Sequence, residues 1–229
     1  MTSSADVEPP KVALVTGASR FLGGYLVTRL AQNPAIDRVI AVDTQSPTKD
    51  MLRRMGRAEF VLADIRNPPL IGKVIRNMDV DTVVHASTVT KAPKSGSRTA
   101  MKDMNVLGAM QLFAVCQKAP SVRRVVLRSS SAVYGSSAKD PAKFTEEMSA
   151  RRRPTGAFAR DMIEIEGYLR GVWPGGEATS PPPSCGSPPT VGNRLPGSVS
   201  AYLTSPLVPT VLGRDARLQL LHEEDALSA

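Results

Sequence analysis

Short apolar runs alternate with helix-like segments along this chain, and this alternation restricts its possible folds more than any other feature of the sequence. The runs with the length of buried strands lie at 11–16, 39–42, 59–62, 81–85 and 124–127. Apolar side chains recur at helical spacing over 22–32, 69–77 and 98–118. Strands that alternate with helices form right-handed crossovers and a parallel sheet covered on both faces. The sequence therefore predicts an α/β fold, a doubly wound parallel sheet of Rossmann type.

The segment 98–118 is the longest of the predicted helices. Its predicted apolar face consists of Met101, Met104, Leu107, Leu112 and Val115. Cys116 lies on the same side and is interpreted as a packing residue.

Composition limits the partners that this chain can have. The formal net charge is +8, but aromatic residues make up only 4% of the chain and none lies within its short arginine runs. Nucleic-acid surfaces combine positive charge with stacking aromatics. We therefore expect no nucleic-acid partner, and interpret the charge as a solvated surface or as attraction to a phosphorylated small molecule.

The sequence also predicts where the protein is found. No apolar stretch is long enough to cross a membrane, and the N-terminus lacks the pattern of a signal peptide. Two cysteines, Cys116 and Cys185, are too few for a disulfide framework and fit a reducing compartment. We therefore expect a cytoplasmic protein without a membrane partner.

The first strand and the first helix are joined by a glycine turn, TGASRFLGG at 16–24. A turn of this kind presents backbone amides of a helix N-terminus to a pyrophosphate. Gly17 allows the tight turn, and Gly23 allows the helix to pack closely on the strand. Asp43 ends the next strand, where a carboxylate accepts hydrogen bonds from ribose hydroxyls and repels a 2′-phosphate. The pattern predicts a site for NAD rather than NADP; a helix cap or a loop acid is the alternative interpretation of Asp43.

Further motifs follow the turn in a characteristic order. They are Ala63-Asp64-Ile65, His85-Ala86-Ser87, Asn105-Val106-Leu107-Gly108, SSSAVYG at 129–135 and LHEEDA at 221–226. With the turn and Asp43, they give the chain a resemblance to the extended short-chain dehydrogenase/reductase family, the NAD-dependent epimerase/dehydratases that act on nucleotide sugars. Within that family it is most similar to a divergent enzyme of the UDP-glucose 4-epimerase type, over about residues 11–170.

The resemblance implies hydride transfer to and from NAD on a nucleotide sugar, and no metal site. The cofactor-binding residues that it implies are Gly17, Ser19, Arg20, Phe21, Leu22, Gly23, Asp43, Asp64, Ile65, Ala86, Ser87 and Asn105. Phe21 and Leu22 would line the pyrophosphate turn. Asp64 and Ile65 would flank the adenine, and Ala86, Ser87 and Asn105 would border the nicotinamide half. His85 would end a strand near the cofactor without being catalytic.

Two departures from the family concern the cofactor and the reaction. In the family, the middle glycine of the turn lets the backbone approach the pyrophosphate. Arg20 replaces that glycine here. An arginine fits there if its φ is negative, and its guanidinium can pair with a phosphate. The family's Tyr-x-x-x-Lys pair is also missing, because the register set by Glu166 places Phe158 and Met162 in those positions.

The missing pair affects the expected activity. In the family the Tyr accepts a proton from the sugar hydroxyl, the Lys lowers the pKa of the Tyr, and a Ser, matched here by Ser130, assists by hydrogen bonding. Phe158 has no proton to exchange and Met162 has no charge. We therefore expect hydride transfer to be very slow or absent. The alternative is a non-catalytic nucleotide-binding protein with a regulatory or structural role.

The resemblance also suggests how the chain is divided. The predicted parts are a disordered N-terminus at 1–10, an NAD-binding Rossmann domain at 11–171, a Pro/Gly/Ser-rich irregular segment at 172–197 and an incomplete substrate-binding region at 198–229. The irregular segment is interpreted as a disordered linker or a surface loop. The last part is short for the family, so His222 and Asp225 are expected to be structural. Family members often pair through two helices, here about 98–118 and 158–170, which makes a homodimer plausible.

The Pro-rich segment falls where the family has a core strand of the pattern apolar-apolar-Arg-apolar. Residues 180–187, SPPPSCGS, are not expected to form that strand. If each Ser is encoded by a TCN codon, the same nucleotides read two bases on encode two apolar residues, Arg or Trp, and an apolar residue. Our hypothesis is a pair of compensating frameshifts that bound about 172–192. For the chain as given, we expect a lost central strand and a disordered segment.

Overall fold

The structure is a computed structural model of the whole chain. The residues that it describes are 9–90, 97–135, 140–141, 144, 148, 150, 152–173, 184–187, 189–191, 202, 204–207 and 219–228. Nearly all of the predicted N-terminal disorder therefore lies outside the described residues.

A parallel sheet forms the centre of the fold. Its strands are β1 (Val12–Thr16), β2 (Arg38–Asp43), β3 (Glu59–Leu62), β4 (Thr82–His85), β5 (Arg124–Ser130) and β6 (Ser184–Ser187). They lie in the order β3-β2-β1-β4-β5-β6, and every neighbouring pair is parallel. The order reverses between β1 and β4, and such a reversal opens a crevice at the carboxyl ends of these two strands. The predicted doubly wound α/β fold is confirmed.

Helices connect the strands and cover both faces of the sheet. They are α1 (Phe21–Gln32), α2 (Lys49–Met55), α3 (Pro68–Asn77), α4 (Arg98–Lys102), α5 (Gly108–Gln117) and α6 (Ala157–Val172). Among the described residues, none of the helices is both long and apolar enough to cross a membrane.

Alternating side chains of the strands build two separate cores. In β1, Leu14 belongs to the larger cluster, with Leu112 of α5 and Ile165 of α6, whereas Val15 belongs to the smaller cluster, with Val27 of α1. This alternation is the ordinary geometry of a strand. Each of these side chains is fully buried, which contributes about 1.5–3 kcal/mol per residue relative to exposure. The two cores hold the strands in place, and the turns of the site lie at the carboxyl ends of these strands.

A π-helical turn, Asp103–Leu107, interrupts the long helix between α4 and α5. Such a turn contains an extra residue and changes the phase of the helix. The predicted apolar face is therefore partly wrong: Leu107 is 49% exposed, whereas its neighbour Val106 is buried. Leu112 is buried as predicted. The packing role of Cys116 is confirmed, since the side chain is fully buried and burial raises the pKa of its thiol to about 12.

Within the part of 172–197 that the structure describes, regular structure replaces the predicted irregularity, and the prediction that 180–187 contains no strand is wrong. Ser184–Ser187 forms β6, paired in parallel with Leu127–Ser130 of β5. Thr190–Val191 forms a further strand, β7, which pairs with β8 (Leu221–His222). Among the described residues β6 has one neighbouring strand, β5, and its pairing needs only backbone N–H and C=O groups. The prolines of the segment stand before and after β6 instead of within it. Residues 174–183 and 192–201 lie outside the described residues.

The predicted substrate-binding region at 198–229 is described only in part. Helix α7 (Glu223–Ser228) follows β8 directly. The Glu224 N–H lies 3.4 Å from His222 Nδ1, which accepts it, and Glu223 is buried. This local arrangement is compatible with the structural role expected for His222.

A single guanidinium fixes the connection between α1 and β2. Arg57 Nε donates to the Ala31 carbonyl at 2.6 Å, Nη1 to the Asp37 carbonyl at 2.7 Å and Nη2 to the Asn33 carbonyl at 2.8 Å. Nη2 also donates to the Ile36 carbonyl. These carbonyls lie at the end of α1 and in the loop after it, where a helix has no backbone donors of its own to offer. The contacts hold the amino end of β2 and, through it, the position of Asp43.

Candidate functional site

A cavity opens at the carboxyl ends of β1 to β4. Its lining consists of Thr16, Gly17, Arg20, Val42, Asp43, Thr44, Ala63, Asp64, Ile65, Arg66, Ser87 and Met104. Six of the residues predicted from the sequence to bind a cofactor are on its wall: Gly17, Arg20, Asp43, Asp64, Ile65 and Ser87. The fold thus brings the ends of several strands, far apart in sequence, to one place. Ligands of open α/β sheets bind in this kind of crevice.

Two glycines of the turn are required by the close approach of backbone segments. Gly17 has a φ of +77°, and a Cβ at this position would lie 2.9 Å from Ser87 Cα. A Cβ at Gly23 would lie 2.7 Å from the carbonyl carbon of Gly17. Both distances are shorter than a Cβ tolerates, so any side chain would push α1 away from the strands. The geometry agrees with the roles expected of these glycines.

The carboxylate of Asp43 is held in place by backbone amides. Its Oδ2 accepts the Ser19 N–H at 2.9 Å, and its Oδ1 accepts the Thr44 N–H at 2.7 Å. The first bond ties the end of β2 to the glycine turn. Such a structural role agrees in part with the alternative interpretation of Asp43 as a loop acid. The Thr44 hydroxyl also donates to Oδ1, at 3.4 Å. The same carboxylate lines the cavity, and Oδ2 has a second lone pair with which to accept a hydrogen bond. The residue can therefore stabilise the turn and receive hydroxyl donors from a ligand.

Asp64 and Arg66 form a charged pair on the wall of the cavity. Arg66 Nε lies 3.0 Å from Asp64 Oδ1, and Nη2 lies 2.6 Å from Oδ2. The hydrogen bond from Arg66 lowers the pKa of Asp64 below its ordinary value. Asp64 is therefore ionised at neutral pH and can only accept hydrogen bonds.

Arg20 occupies the N-cap of α1 with φ −92° and ψ 157°. This is ordinary extended backbone, so an arginine fits the turn without strain. The side chain is exposed, lines the cavity and makes no hydrogen bond or ion pair with any residue in the described part of the chain. A guanidinium cannot be deprotonated in a protein, so Arg20 gives the cavity a positive charge without a partner among those residues.

His85 lies behind the cavity wall and is fully buried. Its Nδ1 shares a 2.8 Å hydrogen bond with Thr16 Oγ1, and its ring meets the edge of Phe113. Its Nε2 has no hydrogen-bond partner among the described residues. Burial lowers the pKa of the ring to about 4, so the imidazole is neutral at physiological pH. The buried, neutral ring joins β4 to β1 through the Thr16 hydroxyl. The non-catalytic role expected of His85 stays a prediction.

The positions matched to the family's catalytic residues lie on β5 and α6. Ser130 ends β5, and its Oγ accepts the Ala132 N–H at 3.3 Å. Met162 is fully buried within the larger core, and Phe158 packs against the same core from a partly buried position. None of these three lines the cavity. Apolar packing therefore occupies the face of α6 on which the sequence match places the Tyr and Lys positions.

The side chain of Asn105 is hydrogen-bonded to backbone groups and does not line the cavity. Its Oδ1 accepts the Val89 N–H at 2.8 Å, and its Nδ2 donates to the Val89 carbonyl at 2.9 Å. Nδ2 also lies 3.4 Å from Asp161 Oδ2. Asp161 is buried and paired with Arg98, whose Nη1 donates to it at 2.8 Å. This network joins the loop after β4 to α4 and α6, and it was not predicted from the sequence.

Other differences between prediction and structure concern neighbours of the motifs. Thr44 and Arg66 line the cavity because they follow Asp43 and Asp64 within two residues, a proximity that could have identified them. Met104 reaches the wall from the π-helical turn, for which the sequence gives no signal. The remaining predicted residues, Ser19, Phe21, Leu22, Gly23 and Ala86, adjoin the cavity in the chain without lining it.

Comparison with known proteins places these features in a family. Residues 13–174 match the model of the NAD dependent epimerase/dehydratase family. An uncharacterized protein of Mycobacterium tuberculosis is 61% identical over 223 residues, which are 96% of this chain and 58% of that protein. The chain therefore spans well under two thirds of the length of this relative.

Solved structures share the fold. A UDP-glucose-4-epimerase from Stenotrophomonas maltophila, with bound NAD and formylated UDP-arabinopyranose, has a TM-score of 0.61 at 24% identity, over 72% of this chain and 48% of that one. DesIV, a dTDP-glucose 4,6-dehydratase from Streptomyces venezuelae with NAD and TYD bound, has a TM-score of 0.60 at 27% identity, over 70% of this chain and 51% of that one.

Proposed function

We propose, because this chain belongs to the NAD-dependent epimerase/dehydratase family, that its cavity binds NAD. The observation that carries the proposal is the Asp43 carboxylate on the cavity wall, anchored by the Ser19 N–H of the glycine turn. NAD supplies a hydride acceptor when it is bound. Similarity to DesIV, whose structure contains NAD, supports the choice of cofactor.

Asp43 would select between the two nicotinamide dinucleotides. Its oxygens can accept the hydroxyls of an adenosine ribose, whereas a 2′-phosphate at the same place would meet a negative charge. The Asp64 carboxylate, ionised beside Arg66, would face the adenine side of the cavity as an acceptor. NAD is therefore expected to bind about tenfold more tightly than NADP.

Titration of NAD and NADP into the purified protein by calorimetry tests this proposal. Asp43→Asn keeps an oxygen for the Ser19 N–H but removes the charge, so the preference for NAD should shrink by about tenfold. Asp50→Asn, which removes an exposed carboxylate on α2, is the matched control and should leave the preference unchanged. An unaltered preference in Asp43→Asn would show that this residue is not at the ribose.

A nucleotide sugar is the proposed second ligand, and turnover through the usual pair is proposed to be absent. The ligand class is supported by the family and by the similarity to DesIV, named as a dTDP-glucose 4,6-dehydratase. An active member would oxidise a sugar carbon and, as an isomerase, return the hydride to the opposite face. Phe158 and Met162 lack the proton and the charge that this needs, and the burial of Met162 in the core favours a non-catalytic nucleotide-binding role.

Incubation with NAD and UDP- or dTDP-sugars, followed by NADH absorbance and by product analysis, distinguishes the two roles. Tight binding of NAD without any turnover would support the non-catalytic role. Robust turnover that Ser130→Ala abolishes would show that another acid or base replaces the missing tyrosine. The same experiment with a panel of sugars identifies the substrate if turnover is seen.

A homodimer in the cytoplasm completes the proposal. The helices expected to form the contact, α4, α5 and α6, lie side by side and are joined by the ion pair between Lys102 and Glu164 at 3.1 Å. Light scattering after gel filtration should give twice the chain mass of 24.4 kDa; a single-chain mass at micromolar concentration would refute the dimer. The small number of cysteines supports the location.

A further inference from the structure

Four charged side chains line the cavity, and three of them have partners there. Asp64 and Arg66 neutralise each other, and Asp43 accepts backbone N–H groups of Ser19 and Thr44. Arg20 alone among the four makes no hydrogen bond or ion pair with the described residues. A cation that is exposed and belongs to the wall of a cavity suits an anionic part of a ligand.

The position of Arg20 in the turn indicates which part of the ligand that is. Gly17 makes the tight turn and Gly23 packs α1 on the strand. The place between them is the one at which the backbone of a dinucleotide-binding turn comes closest to the pyrophosphate. Here that place has a Cβ and a φ of −92°. The side chain would keep the phosphates of a bound dinucleotide further from the backbone than a glycine does.

We infer that the Arg20 guanidinium is the main pyrophosphate-binding group of this site and takes over the task of the close backbone approach. This inference rests on the proposed function and assigns to Arg20 a ligand class, the diphosphate of a dinucleotide or of a nucleoside diphosphate. The planar fork of a guanidinium can donate two parallel hydrogen bonds to phosphate oxygens. The first amides of α1 add a partial positive charge at the same place.

Contact between a guanidinium and a phosphate depends on the salt concentration more strongly than contact between neutral amides and a phosphate. Charge pairs at an exposed rim weaken as salt rises. Binding of diphosphate ligands should therefore depend on salt in the natural protein, and it should depend on salt less once the guanidinium is gone. Ligands without phosphate should not respond to either change.

Affinities of NAD, NADP, ADP and adenosine for Arg20→Gln, Arg20→Lys and the natural protein test the assignment. Arg20→Gln is expected to weaken NAD and ADP by about tenfold or more, to leave adenosine unchanged and to lower the salt dependence. Arg20→Lys should recover part of the loss, since an ammonium keeps the charge but not the fork. Arg29→Gln, an exposed residue in the last turn of the same helix, removes the same charge and should stay within twofold of the natural protein.

Each alternative has its own signature. Unchanged NAD and ADP affinity in Arg20→Gln overturns the inference while the proposed NAD site stands. Equal losses for adenosine and ADP would show a structural effect and also overturn it. A loss confined to NADP would place Arg20 at the 2′-phosphate instead. A natural protein that binds ADP but not NAD overturns the proposed function alone, and one that binds neither overturns both.

Discussion

Protonation of His85 is expected to destabilise the fold, and the structure sets the size of the effect. The ring is fully buried between Thr16 and Phe113, and burial lowers its pKa from 6.5 to about 4. In the unfolded chain the ring takes up a proton near its ordinary pKa, whereas in the folded protein it stays neutral until about pH 4. The unfolded state therefore binds more protons across this window, and stability falls as the pH drops through it.

The magnitude follows from the two pKa values. One pKa unit corresponds to about 1.4 kcal/mol, so the free energy of unfolding should fall by about 2 kcal/mol between pH 7.5 and pH 5. The loss should reach about 3 kcal/mol at pH 4 and then level off. A typical domain has a total stability of about 5–15 kcal/mol, so the loss expected from this single ring is a large fraction of the total stability.

Urea denaturation at a series of pH values measures the effect. His85→Gln cannot titrate in this range, so the difference between its profile and that of the natural protein removes the contribution of the carboxylates. His222→Gln, which replaces the exposed second histidine of the chain, should behave like the natural protein. Profiles of His85→Gln and the natural protein that stay parallel within about 0.5 kcal/mol would refute the reasoning.

Three further predictions concern packing. Gly23→Ala should cost about 2–3 kcal/mol because its Cβ meets backbone of the turn, whereas Gly167→Ala on α6, where a Cβ meets nothing, should stabilise by about 0.5–1 kcal/mol in the same urea assay. Arg57→Ala should lose about 2 kcal/mol because four carbonyls lose their donor; a change below about 0.5 kcal/mol would contradict this. Phe158→Tyr with Met162→Lys should raise turnover only slightly and cost about 2–4 kcal/mol, because residue 162 is fully buried; a stable and active double variant would show that the new lysine reaches solvent.

Sequence patterns predicted the first five strands because buried parallel strands are nearly continuous apolar runs. They could not predict the contact between Arg98 and Asp161, which are 63 residues apart in the chain. They also assigned Leu107 to the wrong face, since a π-helical turn changes the phase of a helix without a compositional signal. Half of the cavity lining was predictable, because Asp43 ends β2, Asp64 follows β3, and Gly17 and Arg20 belong to the glycine turn. The role of Asn105 was not, because its side chain is used by the Val89 backbone.

The strand β6 is the element against which the sequence patterns argued most strongly. Its four residues, Ser184–Ser187, contain no large apolar side chain, and its pairing with β5 is a backbone ladder. The hypothesis of compensating frameshifts expected this strand to be lost, and that part is wrong. The other part, which concerns the nucleotides, stays a prediction. The strand lies at the residues to which the hypothesis applies. If each Ser has a TCN codon, their nucleotides read two bases on would encode two apolar residues, then Arg or Trp, then an apolar residue.

DNA sequencing across codons 172–192 tests that prediction, and the shifted frame is expected to contain the apolar-Arg-apolar string. Absence of the string would end the hypothesis. A physical test is independent of the gene: the combined change Ser184→Val, Cys185→Val, Gly186→Arg and Ser187→Leu restores the string beside β5. Apolar side chains at an edge strand bury only part of their surface, so we expect a gain of about 2–4 kcal/mol in the free energy of unfolding. A variant no more stable than the natural chain would mean that the backbone ladder alone is what the fold requires of β6.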